Sequence, residues 1–297
     1  MLNFKDIKKY KNPYSYFIID NFVNNFKQLE VEFDKFFLDK KYYTTLKADS
    51  GGYTFNKKKQ PGKRLSIGSS GGYHKNFENL FHEKIDELKL YEFKHFINAI
   101  SDPHFHKKIL NHLNPSIKEI GLFQKLKLMK PIKIHNKNDE ISFFDWIFFN
   151  NCYLNFVISQ YSSNFGMPIH RDHRDKITAL LFYFGFSDKK LRERLGTEVY
   201  KIKKQYQSFF TKDLNTLKTD MTDNNKLIKV QEIAPYPNRL FSFMVGHSSW
   251  HGVEYIDLPK NVYRNTLQIN LMKLRRYKFS KLINIYSYFR KKIIFNQ

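Results

Sequence analysis

From about Leu122 onward the chain breaks into short runs rich in β-branched and aromatic residues, and this segmentation constrains the fold more than any other feature. The runs are FFDWIFFNNCYLNFVISQY, KITALLFYFG, GTEVYKI, KLIKVQEIA, NRLFSFMVG, HGVEYI and YRNTLQINLM. Turn-forming or polar residues separate most of them, with no helical pattern between. A parallel doubly wound sheet needs a helix between successive strands. The pattern therefore predicts antiparallel sheets packed as a sandwich or jelly roll. Residues 202–225 read as a polar insert between two of the strands.

Upstream the periodicity changes. YFIIDNFV (16–23) reads as a strand closed by Asp-Asn. Residues 24–43 place Phe26, Leu29, Phe33, Phe36 and Phe37 at helical spacing behind Asn24 or Asn25 as N-cap. Residues 76–114 predict further helix, with Leu80, Phe81, Ile85 and Leu88, then Phe93, Phe96 and Ile97, as its buried faces. Between these, the Gly- and Ser-rich stretch 44–75 predicts a loop, either covering a site or simply solvent-exposed. The simplest organisation is one domain, 1–297. An N-terminal strand and helical support region (1–120) packs on a double-sheet barrel (121–273), and a basic amphipathic helix follows (274–297). In that tail Phe279, Leu282, Ile283, Tyr286, Phe289 and Ile293 recur at helical spacing among lysines and arginines. Such a helix either packs on its own domain or makes peripheral contact with an acidic membrane surface.

Composition bounds the function class. Hydrophobic residues make up 41% of the 297 and aromatics 17%, enough for a sizeable core and too much for a disordered chain. Cys152 is the only cysteine, which excludes an intrachain disulfide and a Cys-rich zinc site. A reducing, cytoplasmic location is the expectation, since the opening MLNFKDIKKYKNPYSYF lacks the apolar core of a secretory signal. The formal net charge of +23 fits a polyanionic partner. Dispersed lysines from an AT-rich genome would give the same figure, so charge alone does not choose.

Two stretches carry candidate chemistry: GMPIHRDHRDKITALLFYFG and NRLFSFMVGHSSWHGVEYIDLPKNVYRNTLQINL. Side chains alternate along a strand, so His170 and Asp172 share a face and Arg171 points away. With His251 as third ligand, two imidazoles and one carboxylate would hold a divalent ion and leave its opposite side open, the donor set of non-haem iron sites. Zinc accepts the same donors, but the HExxH helix of a zinc hydrolase is missing. His173 and Asp175 repeat the spacing three positions later, and an odd offset puts that pair on the other face.

Arg264 follows His251 by 13 residues, room for a turn and a return strand. Alternation sets Arg264, Thr266, Gln268 and Asn270 against Tyr263, Asn265, Leu267 and Ile269. Either the polar face lines an interior that holds a polar ligand or the apolar face is the core; periodicity allows both. An arginine in such an interior suits a planar carboxylate. Trp250 reads as support behind His251 or as plain core, and Arg239 as a strand-end charge more readily than a substrate contact.

These residues resemble the 2-oxoglutarate/iron(II) dioxygenase superfamily, in particular its prolyl 4-hydroxylase-like branch. QYSSNFGMPIHRDHRDKITALLFYF is similar to that branch's Tyr, His-x-Asp and following strand, and GTEVYK to its glycine-led strand. PYPNRLFSFMVGHSSWHGVEYI is similar to the distal-histidine strand, and YRNTLQINL to the strand that binds 2-oxoglutarate. Lys176, four residues beyond Asp172, falls on a lysine of the pattern and favours His170 and Asp172 over the later pair. The likeness covers 155–272 well, 14–40 loosely, and leaves 44–120 and the tail unmatched.

The resemblance implies a mainly β fold with N-terminal helices (α+β): a double-stranded β-helix, or jelly-roll, cupin-like barrel. It implies iron(II) held by His170, Asp172 and His251, and 2-oxoglutarate bridging to Arg264 with help from Thr266 and Tyr161. Dioxygen would be the oxidant, ascorbate a further candidate cofactor. The implied activity is hydroxylation of a C–H bond in a small-molecule, peptidyl or glycan substrate. Asn270 stands where nucleic-acid demethylases carry a second arginine, which counts against a nucleic-acid substrate. The competing reading is a catalytically silent or non-oxygenase jelly-roll binding protein with a basic surface.

Overall fold

The computed structural model describes residues 1–38, 44–45, 64–68, 85–161, 165–186, 196–206, 220–221, 224–256, 258–259 and 262–278. Its strands form two sheets. The larger runs, in spatial order, β1 (Lys8–Tyr10), β2 (Tyr16–Ile19), β12 (Arg239–Met244), β8 (Lys176–Phe186), β14 (Arg264–Lys273), β6 (Asn150–Tyr161), β4 (Arg64–Gly68) and β3 (Thr44–Thr45). A short parallel strand, β5 (Ile132–Ile134), also pairs with β6. The smaller sheet runs β10 (Asp220–Met221), β7 (Phe165–Arg171), β13 (His251–Ile256), β9 (Thr197–Ile202) and β11 (Leu227–Ile233). Along the chain β6 to β9 alternate between the sheets. β11 stays in the smaller one, and β12, β13 and β14 alternate again.

The central strands of the larger sheet, β2, β12, β8 and β14, are buried on both faces. One face packs under α1 (Phe26–Leu38), α2 (Tyr91–Ser101) and α3 (Pro103–Leu113), where Phe17, Leu180, Phe182, Leu240, Leu267 and Ile269 meet Leu29, Phe33, Phe96 and Ile109. The other faces the smaller sheet, where Tyr16, Ala179, Tyr183, Phe241 and Phe243 meet Val199 and Ile233. Burial on both sides explains why KITALLFYFG and RLFSFM read as near-continuous apolar runs without clean alternation. Phe182 shows how the helices are held: its ring lies 5.8, 6.0 and 5.1 Å from Phe22, Phe26 and Phe96. Burying one such side chain is worth about 1.5–3 kcal/mol.

Helix ends follow from local chemistry. Pro103 starts α3, the Asp102 side chain accepts a hydrogen bond from the His104 amide, and Asn114 ends the helix at a φ of 37°. Near the end of β8, Gly185 has a φ of 90°, and a Cβ there would come within 2.6 Å of Pro237. Pairing with β14 skips Phe184 at this point, so that Asn265 opposes Gly185 and Thr266 opposes Tyr183.

Four expectations need correction. Residues 122–149 are not a run of strands: α5 (Leu122–Met129) and α6 (Phe143–Phe148) occupy half of them, β5 is their one short strand, and the single turn α4 (Ile117–Ile120) precedes them. The Ser142 side chain accepts from the Asp145 amide, so a Ser-x-x-acid cap starts α6 within what reads as an apolar run; Ser116 caps α4 in the same way, and α5 follows Gly121 with no side-chain cap. The stretch 44–75 is not wholly loop, since β3 and β4 extend the larger sheet from within it. The insert 202–225 contributes β10, which pairs with β7. Among the described residues neither sheet closes on itself, so the expected barrel is a two-sheet sandwich with a helical layer. The expected helix at 274–297 falls outside the described residues beyond Lys278. No helix among the described residues is long and apolar enough to cross a membrane.

Candidate metal centre

Sheet pairing brings together residues far apart in sequence. β13 lies between β7 and β9, and its first residue, His251, stands directly opposite His170 on β7 and Val199 on β9. The two imidazoles are 4.3 Å apart between ring centres. Phe243 of the larger sheet packs 4.7 Å from the His251 ring, so the pair faces the space between the sheets. Asp172 lies one residue past the end of β7, in the turn toward β8, and not on the strand itself. Lys176 at the start of β8 anchors it through a 2.6 Å contact from Nζ to Oδ1. Ligand atoms of His170, Asp172 and His251 all lie within 4.8 Å of one another.

The donor atoms are prepared for a cation. His170 Nδ1 lies 2.8 Å from the Pro168 carbonyl and His251 Nδ1 2.9 Å from the Ser249 carbonyl. A carbonyl only accepts, so each Nδ1 carries the proton and each Nε2 keeps its lone pair. Asp172 Oδ2 is buried with no hydrogen-bond partner among the described residues and lies 3.8 Å from His251 Nε2. A buried carboxylate oxygen without a donor is costly unless a cation meets it. Burial pushes the His251 imidazole down to about 3 and also lowers His170, holding both neutral at physiological pH. Burial alone would raise the Asp172 carboxyl, but Lys176, with His251 and His170 behind it, together outweigh burial and hold the group well below the usual carboxylate range. Two neutral imidazoles and one carboxylate therefore converge, a donor set that fits a first-row divalent metal.

Arg264 opens β14 and is buried, and its guanidinium crosses from the larger sheet to donate to Thr197 Oγ1 on β9 at 3.2 Å. It also lies 5.4 Å from the Tyr183 ring, whose hydroxyl is 2.7 Å from the same Thr197 oxygen. Thr197 is two positions along β9 from Val199, the partner of His251, roughly 7 Å of strand rise. The guanidinium thus sits in the same inter-sheet space as the histidines. Thr266 faces the same way and is 2% exposed. Both faces of β14 are buried, which resolves the ambiguity left by periodicity: Leu267 and Ile269 pack toward the helices and Arg264 and Thr266 toward the smaller sheet. Tyr161 ends β6 opposite Arg264, and its side chain lies outside the described residues.

His173 and Asp175 are not part of the cluster. They contact each other at 3.6 Å, and Asp175 is bound by Arg275 at 2.6 Å. Trp250 is core: it packs with Ile169 and Leu227, 4.9 Å from the Arg171 guanidinium, on the side of the smaller sheet away from the histidines. Arg239 pairs with Asp20 at 2.5 Å. Sequence reasoning missed Tyr14, a buried tyrosine whose hydroxyl donates to the Trp250 carbonyl at 3.4 Å. Nothing in the loop KNPYSY marks it. Thr197 and Tyr183 were legible only as strand residues of GTEVYK and LLFYFG, not as partners of Arg264.

No protein-family model matches the chain, and no curated protein matches it in sequence. Among solved structures, a prolyl 4-hydroxylase from Pseudomonas putida overlaps at a TM-score of 0.38 with 9% identity, covering 87% of this chain and 92% of that one. A prolyl hydroxylase from Trichoplax adhaerens, in complex with a hypoxia-inducible-factor peptide fragment, overlaps at 0.38 with 11% identity, over 87% and 83%. A prolyl 4-hydroxylase structure from Phytophthora capsici overlaps at 0.41 with 10% identity, over 93% and 68%. Superpositions this loose assign neither fold nor activity.

Proposed function

We propose that the protein is an iron(II)- and 2-oxoglutarate-dependent dioxygenase that hydroxylates a C–H bond, built on a double-stranded β-helix spanning one domain. The single observation that carries this reading is the convergence of His170, His251 and the unpartnered Asp172 Oδ2 in a buried, inter-sheet space. The fold reading draws on strand order. β6 to β9 and β11 to β14 put four strands in each sheet, as a jelly roll distributes its eight.

In this reading His170, Asp172 and His251 hold the metal. Their Pro168, Ser249 and Lys176 contacts fix which atom each presents. Arg264 binds the distal carboxylate of 2-oxoglutarate, exchanging its weak Thr197 contact for a charge-assisted one. Thr266 adds a hydroxyl donor, and Tyr161 borders the co-substrate. When bound, ferrous iron with 2-oxoglutarate and dioxygen supplies the oxidising power for hydroxylation, 2-oxoglutarate leaving as succinate and carbon dioxide. Walls formed by Phe243, Tyr183 and Val199 exclude water from that space. The substrate is a peptidyl or free amino acid, or a sugar or glycan.

The test is anaerobic addition of iron(II) and 2-oxoglutarate to the purified chain. A visible metal-to-ligand charge-transfer band, then succinate formation on admitting oxygen, supports the reading. A protein that binds neither refutes the reading; one that binds metal without any dependence on 2-oxoglutarate has a non-oxygenase metal site instead.

A further inference from the structure

A second site lies away from the histidines, where α5 and α6 carry apolar side chains outward. On α5, Leu122, Phe123, Leu126 and Met129 are 52, 85, 51 and 68% exposed. The helix's Lys125 turns inward to donate to the Pro115 carbonyl at 2.7 Å. This inverts the usual amphipathic arrangement, in which the apolar stripe faces the core. On α6, Phe143, Phe144 and Phe148 are 54, 71 and 58% exposed, and their rings adjoin one another and Trp146. Lys130 ties the two helices by donating to the Ile147 carbonyl. A contiguous exposed aromatic surface of this kind marks an interaction site.

Between the helices and the end of β14 lies a cleft of about 310 Å³. Phe123 and Lys127 line it from α5, Trp146 from α6, and Lys273 and Arg275 from the end of β14 and beyond. Asn150 also lines it, 4% exposed, with an Nδ2 that has no hydrogen-bond partner among the described residues. A buried amide donor left unmatched calls for an acceptor in the cleft. Charge points the same way. Lys273 is lowered to about 8 by burial and by Arg275, Lys127 and Arg174, with Asp175 opposing them. Among the described residues the cleft's lining has three cations, Lys127, Lys273 and Arg275, and no carboxylate.

We propose that this face docks on an anionic phospholipid bilayer, the aromatic side chains of α5 and α6 entering the interface and the cleft taking a headgroup phosphate. Exposed Phe and Trp beside lysines are what such an interface selects. A cationic recess with an unmatched donor suits the phosphate better than a neutral protein partner. The surface is independent of the metal centre and of the reaction assigned to it.

The test uses the full chain with vesicles of phosphatidylcholine, alone or mixed with phosphatidylserine, in flotation and in tryptophan fluorescence. The chain has two tryptophans; Trp250 is buried, so a blue shift reports Trp146 leaving water. Flotation and a blue shift are expected with phosphatidylserine vesicles only, and Trp146→Phe should abolish the shift and leave flotation. Phe143→Ser with Phe144→Ser should weaken flotation at least about tenfold, as should Phe123→Ser with Leu126→Ser if the first pair proves unstable by circular dichroism. Lys127→Gln should weaken it about fivefold. Equal binding to neutral vesicles, or no binding, overturns the proposal. So does flotation untouched by all these variants, which would place binding in 279–297 or in dispersed lysines. A shift produced by inorganic phosphate without any flotation would make the site one for a soluble anion and also overturn it.

Discussion

Replacing Lys176 by methionine should destabilise the metal-free protein far more than the metal-loaded one. The ammonium lies 2.6 Å from Asp172 Oδ1, with side chains 16% and 8% exposed, so solvent screens the pair little. The two nearby imidazoles are held neutral, which leaves Lys176 as the charge that chiefly balances Asp172. Removing one partner of a buried pair strands the other, at a cost of about 3–5 kcal/mol. For a chain of this length that is a fall of roughly 5–8 °C in Tm. A dication at Oδ2 supplies the missing charge, so added iron(II), or manganese(II) as a redox-stable substitute, should narrow the gap between variant and wild type by at least about 1 kcal/mol. Urea unfolding monitored by circular dichroism, with chelator or with metal, measures both gaps. A gap below about 1 kcal/mol in chelator, or one that metal leaves unchanged, would refute the view that Asp172 faces the metal with its free oxygen.

The other expectations concern acid, the co-substrate and the core. Burial holds His251 at about 3 and lowers His170, so the unfolded chain takes up protons first as pH falls below about 6.5. Their stabilisation is complete above that pH and declines by up to about 1.4 kcal/mol per unit for each histidine as pH drops, to about pH 3 for His251. His106, buried outside the site and lowered to about 4, adds to the same decline, so His251→Gln should make the pH slope in urea melts shallower by about one proton and not abolish it. Arg264→Met should weaken 2-oxoglutarate binding by about 2–5 kcal/mol in anaerobic titrations and leave metal binding intact; unchanged co-substrate affinity would remove Arg264 from the site. Phe182→Ala, in the middle of the aromatic contacts between sheet and helices, should cost about 3–5 kcal/mol by urea unfolding without shifting metal affinity.

What the sequence made legible follows from what its periodicities encode. The strands β6, β8, β9 and β11 to β14 were readable because turn residues punctuate them and because β-branched and aromatic residues dominate, whereas β1, β3, β4 and β10 were not. Cooperation of His170 with His251 was readable only as a pattern. Their contact depends on the register of β13 against β7, which no local signal records. α5 and α6 were misread because a short apolar run does not distinguish strand from helix. The cap at Ser142 held the deciding information for α6; α5 has no side-chain cap, and its outward-facing apolar residues defeat a reading in which apolar means buried. Asp172 looked like a strand residue because His-x-Asp has the strand period, yet the ladder stops at Arg171 and Lys176 sets the carboxylate instead. Periodicity could not place Arg264 between the sheets, since β14 is buried on both faces; only the resemblance put it there.

Crystals grown anaerobically with iron(II) and measured on both sides of the iron absorption edge would test the metal assignment most directly. One anomalous peak is expected between the Nε2 atoms of His170 and His251 and Oδ2 of Asp172, about 2.0–2.2 Å from each. A peak beside His173 and Asp175, or no peak between β7 and β13, would contradict it.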